Sequence, residues 1–162
     1  YKLIATTTFG IEAVAAKELK NLGYEFIVVT NQSGIGRGYY TEEDLVTLNN
    51  QMTEKLKEFG IEILECFYCP HHPEKGIGKY KVDCNCRKPN PGMLLEGINK
   101  YNVDIENSFM IGDKKGDLEA GKKAGLKSVL VLTGYGKKIE EDVKNQYLIA
   151  KDLLDVAAIL KK

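Results

Sequence analysis

The sequence predicts a three-layer α/β fold, a doubly wound, mostly parallel sheet of the Rossmann type. Three observations predict it. Short apolar strands such as Phe26–Val29 alternate with segments of helical periodicity along the chain. Several of these strands run straight into polar or glycine-rich turns. At 162 residues and 43% hydrophobic content, the chain can bury one sizeable core. Continuous apolar strands separated by helices imply a sheet covered on both faces. In such sheets ligands bind outside the carboxyl ends of the strands, so the residues that end each strand carry the functional interest.

The elements follow in order. Lys2–Thr8 reads as a strand, rich in β-branched residues towards its end. Ile11–Leu22 has apolar residues at helical spacing and stops at Gly23, a suitable C-terminal cap. Phe26–Thr30 is a wholly apolar strand that enters a polar turn. Thr41-Glu42-Glu43-Asp44 opens a capped helix with Leu45, Leu48, Met52, Leu56 and Phe59 expected on one face. Ile61–Tyr68 is the next strand. A long stretch rich in Gly, Lys and Cys follows, then a helix from Pro91, since proline suits a first turn. Phe109–Ile111 is a strand ending at Gly112-Asp113. Leu118–Ala124 is helical, Val129–Leu132 and Tyr147–Ala150 are strands, and Leu153–Leu160 is a closing helix. A single domain is expected over residues 1–162, with no internal repeat.

Charge and hydropathy exclude some functions. The 23 basic and 23 acidic residues balance, whereas a nucleic-acid-binding surface usually carries a basic excess. The apolar runs are strand-length and too short to span a bilayer. No stretch near the start has a signal-peptide pattern. A cytoplasmic location, with neither nucleic acid nor membrane as partner, is expected; the oligomeric state is left open.

Four cysteines, Cys66, Cys69, Cys84 and Cys86, fall in one short region beside His71 and His72. A core of this size does not need disulfides. Thiolates and imidazoles in a compact loop suit tetrahedral Zn2+, and four protein ligands make a closed, structural site. Such a staple would order residues 69–86, which have no core of their own. From the residues alone, Cys66 and His72 compete with their neighbours for a place. Alternation along the strand puts Cys66 and Cys69 on opposite faces, which favours Cys66 as a core thiol.

Three motifs offer donors or charges that suit a phosphate group or its cation, and a fourth suits a structural metal. Thr30-Asn31-Gln32-Ser33-Gly34-Ile35-Gly36-Arg37-Gly38 places side-chain donors at a turn whose glycines let backbone N–H groups approach an anion. Cys69-Pro70-His71-His72, with Cys84-Asn85-Cys86, is the metal loop. Arg87-Lys88-Pro89-Asn90-Pro91-Gly92-Met93 sets two cations before a proline-braced turn, which favours a phosphate dianion. Gly112-Asp113-Lys114-Lys115-Gly116-Asp117 puts a carboxylate directly after a buried strand, a placement that suits Mg2+. Thr133-Gly134-Tyr135-Gly136 is a candidate for the rim of the same site.

Together these motifs resemble haloacid dehalogenase (HAD) superfamily phosphatases of the zinc-containing branch that acts on heptose bisphosphate or histidinol phosphate. The resemblance covers about residues 24–162. It implies that Thr30 binds the transferring phosphate, that Lys88 stabilises it, and that Asn31, Arg87 and Lys114 contact the substrate. It further implies zinc on Cys69, His71, Cys84 and Cys86, and Mg2+ on Asp113, with Asp117 orienting the loop and Lys88. The ligand expected is a small phosphorylated sugar, with heptose bisphosphate favoured over histidinol phosphate.

The resemblance fails at the first strand. Members of that family end it in Asp-x-Asp-Gly, where the first Asp attacks phosphorus, binds Mg2+ and forms an acyl phosphate. The second Asp is the general acid and base. Here the chain reads Ala5-Thr6-Thr7-Thr8-Phe9-Gly10, and no carboxylate precedes Glu12. With Gly10 at the family glycine, Thr7 and Phe9 take the two Asp positions. Residues 1–25 instead resemble the N-terminus of THUMP-containing ribosomal RNA guanine methyltransferases, as if a β-α unit of one family were joined to the body of another. A neutral threonine without an activating base is a poor nucleophile and a poor Mg2+ ligand. Loss of a covalent nucleophile costs on the order of a millionfold in turnover. Hydrolysis is therefore expected to be absent or severely reduced, with the Mg2+ site incomplete.

Overall fold

A computed structural model describes residues 1–7 and 11–162. Its sheet has six strands: β1 (Lys2–Thr6), β2 (Tyr24–Asn31), β3 (Ile63–Cys69), β4 (Phe109–Gly112), β5 (Lys127–Val131) and β6 (Leu148–Ala150). Every strand pairing is parallel, in the order β3-β2-β1-β4-β5-β6. The helices are α1 (Ala13–Asn21), α2 (Ser33–Gly36), α3 (Glu42–Glu58), α4 (Gly92–Lys100), α5 (Lys115–Lys123), α6 (Gly136–Val143) and α7 (Leu153–Lys161). The chain winds outward from β1 to β3, then returns past β1 to β4. The crevice between the ends of β1 and β4 is therefore the switch point at which such sheets bind ligands.

Strand β1 takes the central place because both its faces are apolar. Leu3 and Ala5 pack with Ile27, Val29, Met93, Leu94 and Met110 on one side of the sheet. Ile4 packs with Ala15, Leu19, Phe26, Ile111 and Val156 on the other. Fully burying such a side chain contributes about 1.5–3 kcal/mol, so the strand is held by its aliphatic residues whatever follows them. Helix α1 ends at Gly23, whose φ of 96° a residue with Cβ would adopt at a cost.

Thr41 caps α3: its hydroxyl accepts from Asp44 N at 3.1 Å and its own N–H donates to the Asp44 carboxylate at 2.9 Å. The expected face of α3 needs correction. Leu45 and Leu56 are buried, but Leu48 and Phe59 are 61% and 53% exposed. The stripe that meets the body is Leu45, Asn49, Met52 and Leu56, narrower than the apolar count suggested. Cys66 also departs from its expected place: on edge strand β3 it is half-buried, whereas Cys69 is fully buried. Two α-helices lie outside the sequence expectations, the single turn α2 within the Thr30 motif and α6 after Tyr135, as do two short 3-10 turns at Gly78–Tyr80 and Ile105–Asn107. Pro91 stands just before α4 rather than in its first turn.

Candidate functional site

The ends of β1, β2 and β4, with the loop before α4, enclose an open cavity of about 450 Å3. It is lined by Thr7, Thr30, Asn31, Gln32, Arg87, Lys88, Asp113, Lys114, Gly116, Asp117 and Tyr135. Every phosphate-site residue expected from the sequence lines it. Phe9, matched to the second Asp position, lies outside the described residues.

Lys88 is pinned at several points. Its Nζ pairs with Asp117 Oδ1 at 2.6 Å and donates to the Val29 carbonyl at 2.9 Å. Its backbone N–H donates to Asn31 Oδ1 at 2.9 Å, and Asn31 Nδ2 donates to its carbonyl at 3.2 Å. The Asn31 amide is thus engaged with the Lys88 backbone, and its direct effect here is to hold that lysine. Asp117 serves two ends at once. Its second oxygen accepts from the N–H groups of Asp113 and Lys114, both at 3.2 Å. A Cβ at Gly112 would collide with Asp117, so only glycine lets the strand end lie this close.

Asp113, 7% exposed, sits at the end of β4. Its Oδ2 accepts from Tyr135 N at 3.1 Å, and a Cβ on Gly134 would strike the same carboxylate. The rim expected around Thr133–Gly136 therefore touches Asp113 directly. Lys114 reaches over the Tyr135 ring, 4.8 Å from its centroid. Thr30 Oγ1 accepts from Gln32 Nε2 at 3.0 Å, and Gln32 in turn accepts from the Tyr40 hydroxyl. Gln32 stands in the expected motif without an assigned role, and Tyr40 was not foreseen.

Of the Asp oxygens lining this cavity, only Asp113 Oδ1 has no protein partner among the described residues. Both oxygens of Asp117 are engaged, Asp113 has committed one, and Thr7 is neutral. Among the described residues, the Cys and His cluster beside the cavity is the only place where three or more Asp, Glu, Cys or His ligand atoms converge.

That cluster is Cys69, His71, Cys84 and Cys86, with all four ligand atoms within 4.8 Å of one another. Cys69 Sγ lies 3.4 Å from Cys84 Sγ, Cys84 lies 3.4 Å from Cys86, and His71 Nδ1 lies 3.3 Å from Cys86 Sγ. These separations are far beyond a disulfide bond and close to the spacing of roughly 3.5–4 Å between ligands of one tetrahedral ion. His72 is outside the cluster, because its Nδ1 accepts from the N–H groups of Glu74 and Lys75. Burial raises the Cys69 and Cys86 thiols. Burial would raise Cys84 too, but hydrogen bonds from Cys86, the Arg87 N–H and Cys69 outweigh it and bring it down to about 7. A divalent cation would resolve this crowding of thiols by taking them as thiolates.

A second tether holds the loop. The Glu42 carboxylate at the start of α3 accepts from the Tyr68 hydroxyl at 2.7 Å and the Tyr80 hydroxyl at 2.6 Å. From the sequence Glu42 read only as first-turn charge.

A parallel, doubly wound sheet with Thr30, Lys88 and Asp113 at its switch point fits the resemblance to HAD-like phosphatases, and comparisons with known proteins agree. A family model described as HAD-hydrolase-like matches residues 85–156. The chain is 45% identical over 148 residues to D-glycero-beta-D-manno-heptose-1,7-bisphosphate 7-phosphatase of Pasteurella multocida, covering 91% of this chain and 79% of that protein. It is 44% identical over 149 residues to the Haemophilus influenzae protein of the same name, covering 91% and 80%. The crystal structure of D,D-heptose 1,7-bisphosphate phosphatase from B. bronchiseptica, complexed with magnesium and phosphate, superposes with a TM-score of 0.86. It is 28% identical, with 99% of this chain and 98% of that one covered. The chain belongs to the HAD-like phosphatase family, alongside these heptose-1,7-bisphosphate 7-phosphatases. Residues 2–38 also match a second model, described as the RlmL ferredoxin-like domain. Among the described residues no helix is long and apolar enough to cross a membrane.

Proposed function

We propose that this chain binds a small sugar phosphate of the heptose 1,7-bisphosphate type in the 450 Å3 cavity and hydrolyses it little or not at all. The observation that carries this reading is Thr7. It lies just past the central strand and lines the cavity with Thr30, Lys88 and Asp113, at the position that the resemblance, with Gly10 matched to the family glycine, assigns to the nucleophilic carboxylate. A threonine hydroxyl needs an adjacent base to attack phosphorus. No imidazole lines the cavity, Asp117 is spent on Lys88, and Asp113 holds the Tyr135 N–H. Thr30 and Lys88 hold the phosphate, Asn31 acts through Lys88, and Arg87 and Lys114 contact the rest of the ligand. Preorganised donors of this kind stabilise a phosphoryl group without themselves breaking a bond.

Zinc on Cys69, His71, Cys84 and Cys86 is the structural metal in this reading, supported by their convergence. Mg2+ is the family's catalytic ion, and of its carboxylate ligands only Asp113 remains here. Residues 1–162 form one domain, in which a β-α unit related to the methyltransferase N-terminus replaces the family's nucleophile strand. The match at residues 2–38 supports that junction. It supports no RNA-binding role, given the neutral net charge. The names of the relatives favour heptose bisphosphate over histidinol phosphate, and a cytoplasmic location follows from such a substrate.

The test is recovery of the ligand. Heptose 1,7-bisphosphate should raise the melting temperature saturably, more than histidinol phosphate does, and be recovered intact by mass spectrometry. A Lys88→Ala protein should lose the shift. Rapid conversion to the monophosphate by the native chain would refute the reading.

A further inference from the structure

The same cavity, read as a phosphate site, has a charge balance that changes what it needs from solution. We propose that it binds a phosphate group through protein cations and donors alone, without Mg2+. Arg87, Lys88 and Lys114 line it against Asp113 and Asp117, which leaves one formal positive charge. Lys88 and Asp117 neutralise each other at 2.6 Å. Arg87 and Lys114 then face a single carboxylate, Asp113, which already accepts from Tyr135 N. The end of β1 itself carries no Asp or Glu among residues 1–11, and the nearest further carboxylates, Glu12 and Asp152, line the neighbouring cavity that shares Thr7 and Asp113.

A site with a further carboxylate at the strand end would repel a phosphate dianion and require a divalent cation between them. Thr7 removes that repulsion. It also removes the anionic oxygen that would join Asp113 around a hard cation, so the change which discourages Mg2+ favours the anion. Arg87 gives independent support. Its NH1 is buried and has no hydrogen-bond partner among the described residues. Unpartnered buried donors are rare in native proteins. This guanidinium is not fully committed to the scaffold and can turn to meet an anion in the cavity it lines. Arg37 Nε, within the Thr30 motif, is the other buried side-chain nitrogen without a partner among the described residues.

The experiment is titration of inorganic phosphate into the full chain by calorimetry, in Mg2+-free buffer and again with millimolar MgCl2. No chelator is used, so that any metal on the cysteines stays in place. The dissociation constant is expected to change by less than about threefold on adding Mg2+; a larger tightening would overturn the proposal. Thr7→Asp, checked for an unchanged melting transition, is the second arm. It is expected to weaken Mg2+-free binding about tenfold and to make binding depend on Mg2+. Unaltered Mg2+-free affinity in this variant would also overturn the proposal. Absence of phosphate binding in both buffers would instead sink the phosphate-site reading on which this one rests.

Discussion

The first 23 residues and the rest of the chain do different work at the same cavity. Residues 24–162 supply Asn31, Lys88, Asp113 and Asp117 in a connected hydrogen-bond network, with Thr30 on the same cavity wall and the Cys and His cluster alongside. Residues 1–23 supply the central strand and the helix that packs on α7, but no carboxylate at the strand end. The contrast shows that a strand's place in a sheet and the chemistry at its tip are specified separately. Leu3, Ile4 and Ala5 satisfy the core on both faces, and any strand with that pattern could pair between β2 and β4. Thr7 is a single side chain beyond the last paired residue, Thr6, and the packing of the strand does not depend on it.

The comparison can be broken from the metal side with the largest effect. Structural zinc sites contribute apparent binding energies of about 10–16 kcal/mol in isolated fingers, so stripping the metal, or a Cys84→Ser change, should lower the melting temperature markedly. Hydrogen exchange should rise across residues 69–86 and leave β1 protected. Equal loss of protection in β1 would mean that the two regions are not separable.

Lys88 and Asp117 come next. Removing one partner of a buried pair costs about 3–5 kcal/mol, and Asp117→Ala should cost that much because it also frees the N–H groups of Asp113 and Lys114. Denaturant midpoints for Asp117→Ala and for Thr7→Val measure the asymmetry: the second change, at a half-exposed strand tip, should move the midpoint little.

The Glu42 tether gives a smaller, pH-dependent effect. Hydrogen bonds from Tyr80 and Tyr68 hold its carboxyl below the ordinary 4.5. A folded-state pKa that is lowered adds stability above the unfolded value and loses it as pH falls through the folded value. The native chain should therefore be more stable than Glu42→Gln near neutrality, with the gap closing below about pH 4.5. Thr41→Ala should cost about 1 kcal/mol through loss of the α3 cap, measured by thermal melts.

What was legible in the sequence follows the same division. Thr30 and Asp113 end apolar strands, but their roles and those of Lys88 and Asp117 were legible through the family resemblance of whole motifs, and the fold then brings those motifs together. A metal loop was legible from the crowding of Cys and His, while the choice of His71 over His72 and of Cys69 over Cys66 rested on the resemblance. The engagement of Asn31 with the Lys88 backbone was not, since the two are far apart in sequence and either could have faced ligand. Glu42 with Tyr68 and Tyr80 is a similar long-range match between residue types common on surfaces. Leu48 and Phe59 misled because helical spacing gives a face without its width, and α3 meets the body along a narrow stripe. Helix α6 is short and strongly charged, and only Ile139 and Val143 hint at its buried side.

Mg2+-dependent phosphate release from heptose 1,7-bisphosphate, measured for the native chain beside an Asp113→Asn control, tests the central claim most directly. The account predicts that the two proteins release phosphate at the same background rate, while both still fold and the native chain binds the ligand. Turnover by the native chain that disappears in the control would contradict it, and would mean that some other group performs the attack assigned in this family to the missing aspartate.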